Sequence, residues 1–155
     1  KNMDLLWLAV DTGTETTALT DGIIFEPIGF PISPIWHEDD FIVTDRKEEE
    51  GGGFGGKIVS ETASSPDYEE GDQGVLQKQF MKTLTFLEQH ENQANKIVFG
   101  GLELSEKIDY LKENGFSHYG AVITGPTKEI LQLREEEWIA ELEVDEVAFW
   151  NWIEY

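Results

Sequence analysis

Ten residues, Tyr119-Gly-Ala-Val-Ile-Thr-Gly-Pro-Thr-Lys128, constrain the fold more than any other stretch of this chain. The first six read as a strand. Pro126 then fits the first turn of a helix, where its missing N–H would have no intrahelical partner anyway. A strand that hands over to a helix within two residues rules out all-α and all-β architectures. Leu5-Leu-Trp-Leu-Ala-Val10, bounded by Asp11-Thr-Gly13, is a second apolar run of strand length. Val147-Ala-Phe-Trp-Asn-Trp-Ile153 is a third, with Phe149 and Ile153 directed one way and Trp150 and Trp152 the other. Runs that are apolar on both faces predict a central sheet covered on each side.

The helices are predicted between these strands. Leu76, Phe80, Met81, Leu84 and Leu87 recur at helical spacing and predict a helix from about Val75 to Asn95, punctuated at its start by Gly71-Asp72 and Gly74. Leu104, Ile108 and Leu111 form a second stripe, opened near Ser105 and closed by Asn114-Gly115. A third helix starts at Pro126-Thr127 with Ile130, Leu131 and Leu133, and Trp138, Ile139 and Leu142 continue the apolar pattern. From about residue 14 to 70 the periodicity lapses, and this span holds Pro27, Pro31, Pro34 and Pro66. Phe25 to Trp36 alternates apolar residues with turn formers, Phe41-Ile-Val-Thr44 reads as a short strand, and Glu48 to Gly56 is a low-complexity loop. The expected order is β-(long insertion)-α-α-β-α-β. That is an α/β or α+β single-domain sandwich, a central sheet of three or more strands with helices packed on it, and an irregular insertion at about 14–70. Right-handed crossovers would set the last two strands parallel where they are neighbours.

At 155 residues the chain has the size of one domain, long enough to bury about 68–70% of its unfolded surface. Its 32 Asp and Glu against 11 Lys and Arg give a net charge of −21. Such a surface repels phosphate backbones and anionic lipid headgroups, which excludes a nucleic-acid-binding role. The absence of cysteine excludes disulfides, thiolate metal sites and Cys nucleophiles. No apolar run approaches the roughly 18 residues of a membrane-spanning helix, and no signal-peptide pattern is present. The chain opens at Lys1 and enters a strand-like run within four residues, as a piece of a longer protein would.

Chemistry is sparsely signalled. Thr124, Gly125, Thr127 and Lys128 lie at a strand-to-helix turn, where backbone N–H groups can hold an anion and a Thr can cap the helix. The turn lacks the length of a phosphate loop. His37, His90 and His118 have no metal-ligand spacing, although His37-Glu-Asp-Asp40 offers an acidic turn. Asp11 ends a buried strand and is the best single carboxylate for acid–base work, with turn capping as its structural role. Asp67 to Asp72 is acidic without the spacing of a twelve-residue calcium loop. No serine sits in a nucleophile elbow. No catalytic residue, metal ligand or cofactor site is assigned. The aromatics Phe30, Trp36, Phe41 and Phe54 in the irregular span, with Trp150 and Trp152 at the end, form the candidate interaction surface. A small carboxylate-based hydrolase or a divalent-cation-binding module is the alternative.

Trp7-Leu-Ala-Val-Asp-Thr-Gly13, Phe86-Leu-Glu-Gln-His90, Ile108-Asp-Tyr-Leu-Lys-Glu-Asn-Gly115, Thr124-Gly-Pro-Thr-Lys128 and Val144 to Trp152 together resemble one family. It is the C-terminal, extracytoplasmic domain of membrane-anchored sigma-factor regulators (anti-sigma factors) of Gram-positive bacteria. The resemblance implies a noncatalytic regulatory or sensing domain outside the membrane, tethered through a single-pass parent. Its partner would be a protein or an envelope ligand, and self-association is left open. The sigma factor would be held by an upstream segment outside these residues.

Overall fold

The structure, a computed structural model, describes residues 3–14, 27–50, 57–97, 101–144 and 146–147. Three strands, β1 (Asp4–Val10), β2 (Gly29–Pro31) and β5 (His118–Thr124), form an antiparallel sheet in the order β2-β1-β5. Leu8 is the register centre, opposite Phe30 on one side and Ala121 on the other. Side chains alternate across the pleat, so Leu8 and Phe30 share the face toward the helices while Trp7 and Ala9 share the other. Gly29 is required by this packing. A Cβ there would lie 2.0 Å from the Leu8 carbonyl oxygen and 2.3 Å from the Trp7 ring.

Helix α1 (Gln73–Gln89) forms as its apolar repeat predicts. The Asp72 carboxylate caps it, accepting from the backbone N–H of Gly74 (2.9 Å) and Val75 (3.2 Å). The helical pattern does not run through to Asn95. His90 breaks it, and a single separate turn, α2 (Glu91–Ala94), follows. Helix α3 (Leu104–Asn114) ends at Gly115, whose φ of 75° suits the glycine of a helix stop. Leu76, Phe80 and Leu84 of α1 meet Leu104, Ile108 and Leu111 of α3, and Val10 and Phe30 of the sheet complete the core. The Phe30 ring lies 5.1 Å from that of Phe80, and Phe116 stands edge-on to both.

Three expectations need correction. Strands β1 and β5 are not covered on both faces along their whole length: Leu5, Leu6, Tyr119 and Val122 are all exposed, whereas Ala9 and Val10 at the end of β1 are buried. The core sits over one end of the sheet, beside Val10 and Phe30, and a continuous apolar run carries no information about that. The span at 14–70 is not simply irregular. It supplies β2 and a long hairpin of β3 (Ile42–Glu50) with β4 (Lys57–Ser64), paired from Ile42 opposite Ser64 to Glu50 opposite Lys57. Glu48 to Glu50 therefore belong to a strand, not to a loop. Helix α4 (Thr127–Gln132) is short and passes into a 3₁₀ turn at Leu133–Glu135, so Trp138 and Ile139 continue no helix. The expected closing strand lies almost wholly outside the described residues, and so do Phe54, Trp150 and Trp152.

Candidate functional site

The densest polar cluster among the described residues joins the 3₁₀ turn Glu38–Asp40 to the flank of α1. Lys82 and Thr83 lie three and four residues after Gln79, Phe86 three after Thr83 and His90 four after Phe86, which aligns them along one face of the helix beside its apolar stripe. The turn lays His37, Asp39 and Asp40 against that face. Lys82 Nζ reaches Asp39 Oδ1 at 2.6 Å and Asp40 Oδ1 at 2.7 Å. Asp40 Oδ2 accepts the His37 backbone N–H at 2.8 Å. Gln79 is buried, and its amide nitrogen points at Asp40 Oδ2 (3.1 Å) and the Ile35 carbonyl (3.2 Å), the orientation that two acceptor neighbours demand. The Thr83 hydroxyl donates to the Gln79 carbonyl at 2.9 Å, so its oxygen accepts from His37 Nε2, also at 2.9 Å. That assigns the proton on the His37 ring to Nε2.

The electrostatics follow from this geometry. Burial pushes the Asp40 carboxyl up, but the Lys82 ammonium, the His37 N–H and the Gln79 amide outweigh it and hold the pKa at about 2. Burial also works against the Lys82 charge, yet hydrogen bonds to both carboxylates raise its pKa. The Lys82 hydrogen bond likewise lowers that of the more exposed Asp39. The cluster ties Asp40, Gln79, Lys82 and Thr83 together through these bonds. Its physical effect is to fix the backbone on either side of the turn.

That backbone carries aromatic side chains. Trp36 and Phe41 bracket the pinned turn, Trp36 half-buried and Phe41 exposed. The rings of His37, Phe86 and His90 form a row on the helix face, with centroids 5.9 Å and 4.6 Å apart, and Phe86 is 51% exposed. Ile35 is exposed as well. Exposed aromatics on an immobilised backbone are the residue types that anchor protein interfaces. Of the aromatics singled out from sequence, Trp36 and Phe41 lie at this surface. Phe30 does not: it is 2% exposed at the centre of the core, because the register of β2 turns it toward α1. Gln79, Lys82 and Thr83 were not singled out from the sequence, although their helical spacing sets them on one face, and Asp40 was read only as part of the acidic turn at His37–Asp40.

The remaining candidates take structural places. Asp11 Oδ1 accepts from Gly13 N (2.9 Å) and Oδ2 from the Tyr110 hydroxyl (3.2 Å), a turn tied to α3. Neither Thr124 nor Thr127 caps α4. Pro126 occupies the cap position and no side chain bonds there, while Gly125 gives Met3 room to approach. His118 packs its ring against Phe30. The Tyr68 hydroxyl donates to the Ile32 carbonyl (2.7 Å) and accepts from Gly71 N (3.0 Å), holding the Asp67–Asp72 loop as a turn before α1. An open cleft of about 380 Å³ between α2 and α3 is lined by Glu91, Glu103 and Glu106 with Asn95 and Ser105. Glu91 and Asn95 there cap the backbone N–H groups of Leu104 and Leu102. Among the described residues no three His, Asp or Glu side chains converge on a metal position, and no helix is long and apolar enough to cross a membrane.

Comparison with known proteins gives these surfaces a context. A 75-residue stretch, 48% of the chain, is 39% identical to a Bacillus subtilis (strain 168) protein named "Probable anti-sigma-M factor YhdL". That stretch covers 21% of the relative's own length. No solved structure matches the chain. Residues 1–146 match the family described as sigma factor regulator C-terminal, and this chain belongs to that family.

Proposed function

We propose that this chain is a noncatalytic, extracytoplasmic sensing domain of a membrane-tethered anti-sigma factor, and that it acts by binding a protein partner. The family match over residues 1–146 is the observation that carries the reading. The aromatic surface around the turn at Glu38–Asp40 supports binding over catalysis, because the polar groups there hold the backbone in place and the apolar groups face outward. In this reading the sigma factor is engaged by another part of the parent protein. A partner that favours one arrangement of the domain relative to its tether shifts the equilibrium of the whole regulator. No observation among the described residues favours a hydrolase or cation-binding alternative.

The test deletes this domain from the parent regulator and follows sigma-dependent transcription with and without envelope stress. The expected result is a changed basal level or a lost response. Unchanged basal and induced transcription overturns the regulatory reading. A second arm carries Phe41→Ala with Phe86→Ala in the parent. If the double variant keeps the normal response while folding normally, the aromatic surface is not where the partner binds.

A further inference from the structure

The hairpin β3–β4 stands apart from the rest of the fold. Every side chain described in it, residues 42–48 and 59–64, is exposed, including Ile42 (56%), Val43 (54%) and Val59 (46%). A two-stranded ribbon without support is at best marginally stable in water, and a third or fourth strand is what normally secures one. Among the described residues neither outer edge of this ribbon is paired with another strand.

The two edges differ. Strand β3 carries six consecutive charged residues, Asp45 to Glu50, the device by which proteins keep a sheet edge from recruiting other strands. Strand β4 reads Lys57-Ile-Val-Ser-Glu-Thr-Ala-Ser64, with two charges in eight residues, β-branched residues at 58, 59 and 62, and neither Pro nor Gly. One edge is blunted and the other is left open. We propose that the open β4 edge pairs with the β4 edge of a second copy of this chain, making a four-stranded sheet β3-β4-β4′-β3′ on a two-fold axis at Val59.

The register follows from charge. A closed symmetric pair requires each residue to meet its mirror position. With Val59 opposite Val59 of the second copy, the register sets position 57, a lysine, opposite position 61, a glutamate, and does so twice. Centring on Glu61 would oppose two glutamates, which cross-strand pairing disfavours. The net charge of −21 on each copy does not forbid this contact. Val59 lies five residues from the root of the ribbon at Ser64, roughly 17 Å at the rise of a strand. In antiparallel pairing the two roots are therefore roughly 33 Å apart, about four screening lengths at physiological salt.

The chain contains no cysteine, so a single introduced thiol reports on this contact alone. Directly opposed residues of antiparallel strands have Cα atoms about 4.5 or 5.5 Å apart, within the span of a disulfide in either case. Val59→Cys should cross-link into a covalent dimer under mild oxidation at least tenfold faster than Ala63→Cys, whose register partner would be position 55. The unaltered chain should sediment as a concentration-dependent dimer of twice its 17.6 kDa mass. Near-equal cross-linking of the two variants overturns the β4 register. A chain that stays monomeric up to about 0.1 mM, where even weak association is populated, overturns self-pairing and leaves the edge to a strand of another protein.

Discussion

Replacing Asp40 by Asn tests whether the turn is held electrostatically. The carboxylate is 13% exposed, and its pKa falls from the ordinary 3.8 to about 2 because the folded chain surrounds the charged form with the Lys82 ammonium, the His37 N–H and the Gln79 amide. A shift of this size corresponds to about 2 kcal/mol of preferential stabilisation of the ionised, folded state. Because the folded pKa lies below the unfolded one, that stability is fully present above about pH 4 and is lost as pH falls through the folded value near 2. At pH 7, Asp40→Asn should therefore cost about 2 kcal/mol, or about 4–8 °C in melting temperature for a chain of this length. The gap to wild type should narrow between pH 4 and pH 2, as protonation removes the same charge from the wild-type protein. Urea melts at pH 7, 5, 4, 3 and 2 on both proteins measure this as a difference, which cancels the contributions of the other carboxylates. Asp39→Asn supplies the control. Asp39 lies closer to Lys82 but is 74% exposed, so water screens its pairing and its removal should matter less. A loss that is independent of pH, or a larger loss for Asp39→Asn than for Asp40→Asn, refutes the reasoning.

Further outcomes follow from packing and composition. Gly29→Ala should destabilise by at least about 1–3 kcal/mol, seen as a lowered urea midpoint, since the added methyl meets both the Leu8 carbonyl and the Trp7 ring. Phe30→Ala should cost about 3–5 kcal/mol as a core cavity, whereas Phe41→Ala should change stability by less than about 0.5 kcal/mol; comparable melts for the two would contradict their exposures of 2% and 43%. Calcium or magnesium should raise the melting temperature no more than sodium chloride at equal ionic strength. A selective rise that EDTA reverses would establish a cation site and revive the alternative reading.

What could be read from the sequence divides along physical lines. The stripes Leu76–Phe80–Leu84 and Leu104–Ile108–Leu111 were legible because a helix repeats its buried face within the chain itself, so the packing signal is local. The break at His90 was not, since the segment keeps helix-compatible residues on both sides of it. Strand β2 is three residues, Gly29-Phe-Pro31, set among prolines, and by composition it resembles a turn. Only its pairing with Trp7 to Ala9, some twenty residues away, makes it a strand and turns Phe30 into the core. The start of β3 was legible at Phe41–Thr44, but beyond it six charged residues hide the alternation that marks a half-buried strand, because the described side chains of that ribbon are all exposed. The cluster of Asp40 and Lys82 joins residues 42 positions apart. Each taken alone is an ordinary surface charge, and only the fold that brings the turn onto α1 makes them a fixed pair. Phe30 and Phe41 show the consequence most sharply. Both were candidates for the same surface on the same grounds, and ten residues of intervening chain put one inside and the other out. The difference lies in which backbone each is hydrogen-bonded to, β1 in one case and a pinned turn in the other, and residue type carries no record of that.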